Sequence, residues 1–203
     1  MIAIADYGVG NLFSLKSSFA AIGHEAIVSS VGDVLRAADK IILPGVGAFR
    51  DAAEKLRSSG IGRVIKDEAA AGKPLLGICL GMQLLFEKSF EYGEYEGLGI
   101  LPGEIKPISD VIPANLKIPH IGWNSLSMKF DSPLFSFIRN GDYVYFVHSY
   151  YACTPEKYIA ATTGYGAELT AVVENGNVYG CQFHPEKSGE VGLSILKAFC
   201  EET

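Results

Sequence analysis

This chain of 203 residues lacks the features that mark several classes of protein. Its four cysteines include no C-x-x-C pair and no histidine at zinc-site spacing, so neither a disulfide framework nor a metal site is expected. Lysine and arginine number 17 against 23 aspartate and glutamate residues, and the net charge of −6 argues against nucleic acid as a partner. These absences favour a cytoplasmic protein with reduced thiols.

Long apolar runs are also missing. The longest runs, such as Lys40–Pro44 and Leu75–Leu80, have the length of strands and are far too short to cross a membrane. A predicted strand, Ile2–Asp6, follows the first residue directly, so we expect neither a signal peptide nor a membrane partner. No repeat, low-complexity tract or linker interrupts the sequence. We therefore expect a single domain over residues 1–203, large enough for a substantial core.

The first half alternates short apolar runs with segments whose apolar residues recur at helical spacing. The predicted strands are Ile2–Asp6, Ala26–Ser29, Lys40–Leu43 and Leu75–Ile78, and the helical patterns cover Leu12–Ile22, Asp33–Ala37, Phe49–Leu56 and Ile61–Ala71. This alternation with fully apolar strands predicts a parallel sheet that helices cover on both faces.

The second half consists mostly of strands. They are predicted at Glu104–Ile108, Lys117–Ile121, Asp142–His148, Ile159–Thr163, Leu169–Val173 and Val178–Phe183. Asn175-Gly176 predicts a two-residue hairpin turn between the last two, and Val191–Phe199 predicts a closing helix. The fold class is therefore α/β, with a mixed, mostly parallel central sheet flanked by helices.

Cys79 lies on a turn between the strand Leu75–Ile78 and a predicted helix that begins near Gly81. The residues Gly77–Gly81 are the sulfur version of the G-x-S-x-G nucleophile elbow, whose sharp turn strains the nucleophile's backbone. The two flanking glycines leave room because they have no Cβ, and the helix N-terminus favours a thiolate. A buried cysteine packed behind a strand is the commoner alternative, and this motif alone leaves it open.

A second candidate site follows the last predicted strand, in His184-Pro185-Glu186. A histidine at a strand end, with a glutamate two residues later, can hold an imidazole that the carboxylate orients, and proline restricts the turn between them. With Cys79 these residues would supply a nucleophile, a base and an orienting acid. A surface turn with a solvated glutamate is the alternative. His148 also ends a predicted strand, but no acidic residue stands two positions after it, so it is the weaker candidate for the base.

The glycine-containing segment Pro44–Phe49 comes after one parallel strand and before a helix. Its glycines would let a backbone N–H face a developing oxyanion, and the N–H of Leu80 would be the second donor. A Walker-type phosphate loop is excluded because no Gly-Lys-Ser/Thr follows. Asp6–Asn11 imitates a dinucleotide-binding loop, but Phe13 occupies the position of its third glycine.

Taken together, these segments resemble the class I, triad-type glutamine amidotransferases. Within the class they are similar to the glutaminase subunits that supply ammonia to a cyclase of histidine biosynthesis. The resemblance covers essentially the whole chain, and its main segments are Asp6–Asn11, Pro44–Phe49, Gly77–Phe86, Pro119–Asn124, Tyr145–Tyr150 and Gln182–Lys187. The cysteine and His-Pro-Glu elements are shared across the class.

The resemblance implies a reaction in which Cys79 attacks the side-chain amide of L-glutamine, His184 transfers the protons and Glu186 holds its tautomer. It implies no cofactor, and it implies a heterodimer with a TIM-barrel cyclase. Asp6–Asn11, Trp123 and Lys187 are the candidates for the face toward that partner. The residues implied for the oxyanion hole and the glutamine pocket are Val46, Gly47, Leu80, Gln83, Ser149 and Tyr150.

Two other interpretations stay open. One is a different Cys-His-Glu hydrolase of similar architecture, such as a γ-glutamyl peptidase or the amidotransferase of another pathway. The other is a binding subunit without activity, which the intact set of Cys79, His184 and Glu186 argues against.

Overall fold

Fourteen strands and six α-helices form the regular structure of the computed structural model, which describes residues 1–203. The strands are β1 (Ile2–Ala5), β2 (Ala26–Ser29), β3 (Lys40–Leu43), β4 (Leu75–Ile78), β5 (Lys88–Ser89), β6 (Tyr95–Glu96), β7 (Glu104–Pro107), β8 (His120–Ser125), β9 (Ser127–Met128), β10 (Tyr143–His148), β11 (Tyr150–Cys153), β12 (Ile159–Gly164), β13 (Glu168–Asn175) and β14 (Val178–Cys181). The helices are α1 (Leu12–Ala21), α2 (Gly32–Ala37), α3 (Phe49–Ser58), α4 (Ile61–Ala70), α5 (Leu80–Leu84) and α6 (Gly189–Glu201). None of the helices has the length and hydropathy needed to span a bilayer.

The central sheet has eight strands in the order β2-β1-β3-β4-β14-β13-β12-β9. The first five are mutually parallel, and β13, β12 and β9 continue the sheet antiparallel. The predicted α/β class, with a mixed and mostly parallel central sheet, is confirmed.

Helices cover both faces of the sheet, which explains why a central strand such as β1 is apolar and buried at every position. In β1, Ala3 and Ala5 point into one core, together with residues of α2, α3 and α4. Ile2 and Ile4 point into a second core, which contains residues of α1 and α6. Successive strand residues face opposite sides, so a strand between two helical layers has no polar face.

Several predicted bounds differ from the structure; the predicted strand Val178–Phe183, for example, ends at Cys181. The predicted strand Lys117–Ile121 is wrong in its bounds: β8 begins only at His120, because Pro119 has no N–H to contribute to a ladder. The hairpin turn lies one residue later than predicted. Asn175 still pairs with Val178, so the loop is Gly176-Asn177, and Gly176 takes the left-handed conformation with φ +59°.

Two smaller sheets hold strands that the sequence pattern does not assign to separate layers. A four-stranded sheet has the order β11-β7-β5-β6, and a two-stranded ribbon pairs β10 with β8. The short strands β5, β6, β9 and β11 have no counterpart in the prediction. Both smaller sheets matter for function because segments adjoining them complete one wall of the cavity described below.

Candidate active site

Three chain segments meet where the parallel strands β3, β4 and β14 end. Pro44 follows β3, Cys79 follows β4, and His184 lies three residues beyond the end of β14. Adjacent parallel strands end at the same edge of a sheet, and ligands of such sheets bind beyond that edge. The segments that the sequence singles out are therefore brought together by the topology.

Cys79 has the strained backbone of a nucleophile elbow, with φ 54° and ψ −112°. Positive φ is uncommon for a residue with a side chain. The flanking glycines are required by close contacts: a Cβ on Gly77 would lie 2.7 Å from the Cα of Met82, and one on Gly81 would overlap the carbonyl oxygen of Leu43. The thiol is thus presented between β4 and α5, as the motif predicts.

His184 is held in place by both its backbone and its ring. The backbone N–H of His184 donates to the Tyr145 carbonyl oxygen at 3.0 Å, and Ser188 Oγ donates to the carbonyl oxygen of His184 at 2.6 Å. Nδ1 lies 2.9 Å from Glu186 Oε1, and both side chains are almost fully buried. A carboxylate at Nδ1 leaves Nε2 available toward Cys79, which lines the same cavity.

The protonation of His184 is shifted by its two partners. Burial alone lowers the pKa of the imidazole, but the hydrogen bonds and charges of Cys79 and Glu186 outweigh burial and raise it from 6.5 to about 9. The imidazolium is therefore the favoured form at neutral pH when the sulfur is a thiolate. This ion pair is the form that a cysteine nucleophile and a proton donor require.

A cavity of about 310 Å³ lies in front of Cys79 and His184. All six residues that the resemblance implies for the oxyanion hole and the glutamine pocket line this cavity. Glu186 does not line it and lies behind His184. Five further residues contribute to the lining and were not assigned to this pocket from the sequence. The lining comprises Val46, Gly47, Cys79, Leu80, Gln83, Glu91, Pro119, Val147, His148, Ser149, Tyr150, His184 and Lys187.

The glycine loop after β3 packs directly against the start of α5. A Cβ on Gly45 would stand 2.9 Å from the Cβ of Leu80, so only glycine allows this approach. Gly47 has φ +93°, in the left-handed region that glycine adopts without strain. The hydroxyl of the buried Tyr7 donates to the Pro44 carbonyl oxygen at 2.7 Å and anchors the start of the loop.

A buried pair of glutamines connects the cavity wall to the nucleophile. Gln83 Nε2 donates to the Tyr150 carbonyl oxygen at 3.2 Å and to Gln182 Oε1 at 3.0 Å. Gln182 Nε2 lies 3.8 Å from the sulfur of Cys79. Both hydrogens of the Gln83 amide nitrogen are engaged, which leaves its oxygen as the open acceptor of that amide.

Glu91 is the most informative of the residues that sequence reasoning missed. Its carboxylate accepts a hydrogen bond from the N–H of Phe49, at the first turn of α3, and borders the cavity. Burial raises the pKa of this carboxyl group, although the Phe49 N–H opposes the shift. Glu91 lies in an irregular segment between β5 and β6, and no motif in the sequence marks it.

His148 does not take the role of a base. Its two ring nitrogens bond to His120 at 3.0 Å and to the Tyr150 carbonyl oxygen at 2.9 Å, so neither is free for the thiol. Of the partner-face candidates, Trp123 is 55% exposed beside Ile121 at 58%. Lys187 borders the cavity itself.

Comparisons with known proteins agree with this geometry. A family model described as glutamine amidotransferase class-I matches residues 3–203. The imidazole glycerol phosphate synthase subunit HisH of Caldanaerobacter subterraneus subsp. tengcongensis is 52% identical over 202 residues, which cover 99% of this chain and 98% of that protein. The HisH subunit of Lactococcus lactis subsp. lactis is 50% identical with the same coverage.

Solved structures share the fold at much lower identity. The structure of PurLQS from Thermotoga maritima matches with a TM-score of 0.77 and 22% identity, over 99% of this chain and 97% of that chain. A crystal structure of a glutamine amidotransferase matches with a TM-score of 0.75 and 20% identity, over 98% of each chain.

Proposed function

The chain belongs to the class-I glutamine amidotransferase family, and we propose that it is the glutaminase subunit of an imidazole glycerol phosphate synthase in histidine biosynthesis. It hydrolyses L-glutamine and passes ammonia to a cyclase subunit. The observation that carries this proposal is the strained thiol of Cys79 facing the His184–Glu186 pair in a cavity large enough for one amino acid.

In the first half-reaction, the Cys79 thiolate attacks the side-chain carbonyl carbon of glutamine. The developing oxyanion is stabilised by the N–H of Leu80, which as the first helical residue has no intrahelical partner, and by the backbone around Val46 and Gly47. His184 Nε2–H gives its proton to the departing amide nitrogen. The C–N bond breaks, ammonia leaves, and a γ-glutamyl thioester remains.

In the second half-reaction, water attacks the thioester. His184, now neutral, takes a proton from the water through Nε2 as the C–O bond forms. The tetrahedral adduct collapses, the C–S bond breaks, and glutamate leaves with the Cys79 thiolate and the imidazolium restored. Glu186 keeps Nδ1 protonated throughout and stabilises the positive ring.

Substrate recognition is assigned to the cavity wall. The oxygen of Gln83 accepts from the carboxamide nitrogen of the substrate, because the Gln83 amide nitrogen is already engaged. The Glu91 carboxylate borders the cavity and provides a counter-charge for the α-ammonium group. The Ser149-Tyr150 segment closes the same wall.

The cyclase partner binds the face that carries exposed apolar side chains on β8. Ile121 and Trp123 point outward there, and Asp6–Asn11 and Lys187 complete the proposed contact. A heterodimer in the cytoplasm, with residues 1–203 as one amidotransferase domain, follows from this assignment. A tryptophan that is exposed in the free subunit and becomes buried on binding is a frequent anchor of such interfaces.

The test is glutamate release from glutamine, measured for the chain alone and together with the cyclase subunit of an imidazole glycerol phosphate synthase. We expect slow turnover by the chain alone and faster turnover when the partner is loaded with its ribotide substrate. Full turnover without the partner, unchanged on mixing, would point to a free-standing γ-glutamyl hydrolase. No turnover under either condition would contradict the assigned reaction.

A further inference from the structure

His148 lines the cavity and is paired with a second buried histidine, His120, and the mechanism above uses neither residue. His120 and His148 stand directly opposite each other at the end of the β8–β10 ribbon. His120 Nδ1 and His148 Nε2 are 3.0 Å apart, and the two residues are only 3% and 5% exposed. Buried imidazoles paired in this way need a consistent arrangement of protons.

The neighbouring groups fix that arrangement. His148 Nδ1 lies 2.9 Å from the Tyr150 carbonyl oxygen, which can only accept, so Nδ1 carries the proton. His148 Nε2 is then the acceptor for His120 Nδ1–H, and His120 Nε2 is left as an acceptor. Asn124 Nδ2 faces it at 3.5 Å and also donates to the Gly164 carbonyl oxygen at 2.7 Å. The three hydrogen bonds that link Asn124, His120, His148 and the Tyr150 carbonyl oxygen therefore all run in the same direction, toward Tyr150.

The surroundings keep the pair neutral. Tyr165 stacks on His120 with ring centroids 4.1 Å apart, and Phe146 stacks at 5.0 Å. Burial lowers the pKa of both imidazoles from 6.5 to about 4. Neutral rings with one tautomer each give the network a single geometry at neutral pH.

The Tyr150 carbonyl oxygen links this row of hydrogen bonds to the glutamine site. It accepts from His148 on one side and from Gln83 on the other. Gln83 continues through Gln182 to the sulfur of Cys79. A shift of this carbonyl would therefore move both the Ser149-Tyr150 wall and the side chain of Gln83.

We propose that His120 and His148 form a positioning pair for L-glutamine: His120 fixes the tautomer of His148, and His148 fixes the Tyr150 carbonyl and hence Gln83. The proposal rests on the glutaminase function proposed above. Neither histidine touches the reacting atoms, so both act through Tyr150. The expected signature is a raised KM for glutamine with kcat little changed, because the wall and Gln83 hold the substrate but transfer no proton.

Two substitutions at position 148 separate positioning from packing. His148→Asn places an amide nitrogen near the position of Nδ1, so it keeps a donor for Tyr150. His148→Gln places its amide near the position of Nε2 and loses that donor. We expect KM to rise about tenfold for His148→Gln and less than about threefold for His148→Asn, since one hydrogen bond is worth about that factor. His120→Asn, which keeps the donor at the Nδ1 position, should resemble His148→Asn.

The assay measures glutamine turnover by the complex with the cyclase subunit. The matched surface control is His24→Gln, because His24 follows α1 and pairs with Glu201. Equal KM values for His148→Asn and His148→Gln, or a loss confined to kcat, would overturn the positioning role. If the wild-type complex itself does not use glutamine, the proposed function fails instead. Should His148→Gln not fold, nitrogen NMR of the wild-type imidazoles decides: a protonated Nδ1 on His148 supports the pair, and a protonated Nε2 overturns it.

Discussion

His184 Nδ1 lies 2.9 Å from Glu186 Oε1, although only Pro185 separates the two residues in sequence. Both side chains are almost fully excluded from solvent. Because the carboxylate occupies Nδ1, it can reach the reaction only through the ring, whereas Nε2 is left for the thiol. This relationship ranks the two residues: one moves protons and the other orients and stabilises the ring.

Replacing the two residues should therefore have unequal effects. His184→Ala removes the group that transfers the proton in both half-reactions, so we expect glutaminase turnover to fall by about 10²-fold or more. Glu186→Gln keeps an amide oxygen that can accept from Nδ1–H and loses only the charge, so more activity should remain. Steady-state kinetics of both variants with the cyclase present measures the difference. Near-normal turnover by His184→Ala would require another base.

The pKa of His184 should depend on Cys79. Burial lowers this pKa, and the bonds to Cys79 and Glu186 raise it to about 9, so Cys79→Ala should bring it down. A raised pKa stabilises the folded state fully below the ordinary value of 6.5, and this contribution is lost as pH rises through about 9. Histidine NMR titration of the wild type and of Cys79→Ala measures the shift. An unchanged midpoint in the variant would contradict the contact.

The histidine pair should give the opposite pH dependence. The folded pKa values of His120 and His148 are depressed to about 4 by burial, so both rings stay neutral where the unfolded chain becomes protonated. The stability they contribute is present above pH 6.5 and is lost as pH falls toward 4. Urea unfolding of the wild type and of His148→Asn over this range measures it. If the free energy of unfolding depends on pH equally in the variant and in the wild type, His148 is excluded as a source of the pH dependence.

The sequence predicts those parts of the site that local chemistry determines. Cys79 can be picked out because a strained turn needs glycines at that spacing, and the His-Pro-Glu segment can be picked out because its partners are two residues apart; together they favour the catalytic interpretation that neither motif establishes alone. The pairing of His120 with His148 depends on the register of β8 against β10, which the sequence pattern does not specify, and the predicted strand Lys117–Ile121 begins three residues before β8. Glu91 reaches the cavity only through tertiary packing, so no local pattern reveals it.

The hydroxyl of Tyr7 should matter for turnover although it lies outside the cavity lining. Tyr7→Phe removes the donor to the Pro44 carbonyl oxygen and leaves a buried acceptor unpaired, at a cost of about 1–3 kcal/mol. The loop that begins at Pro44 carries the oxyanion donors, so we expect a lower kcat with little change in KM. Tyr143→Phe, at a tyrosine that is 57% exposed, is the matched control. A loss of thermal stability without any change in kcat would show that the hydroxyl only supports the fold.

Ammonia supply and ring formation should be separable by one substitution. Cys79→Ala removes the sulfur that forms the thioester, so glutamine-dependent product formation by the two-subunit complex should be abolished. Synthesis from ammonium salt at alkaline pH should remain, because free ammonia reaches the cyclase from solvent without the glutaminase. Product formation with each nitrogen source, in a complex whose assembly is verified, measures both. The residues around Cys79 form a site for one amide and hold no group assigned to ring closure. A complex that assembles normally but is inactive with both sources would place part of the synthase site on this chain.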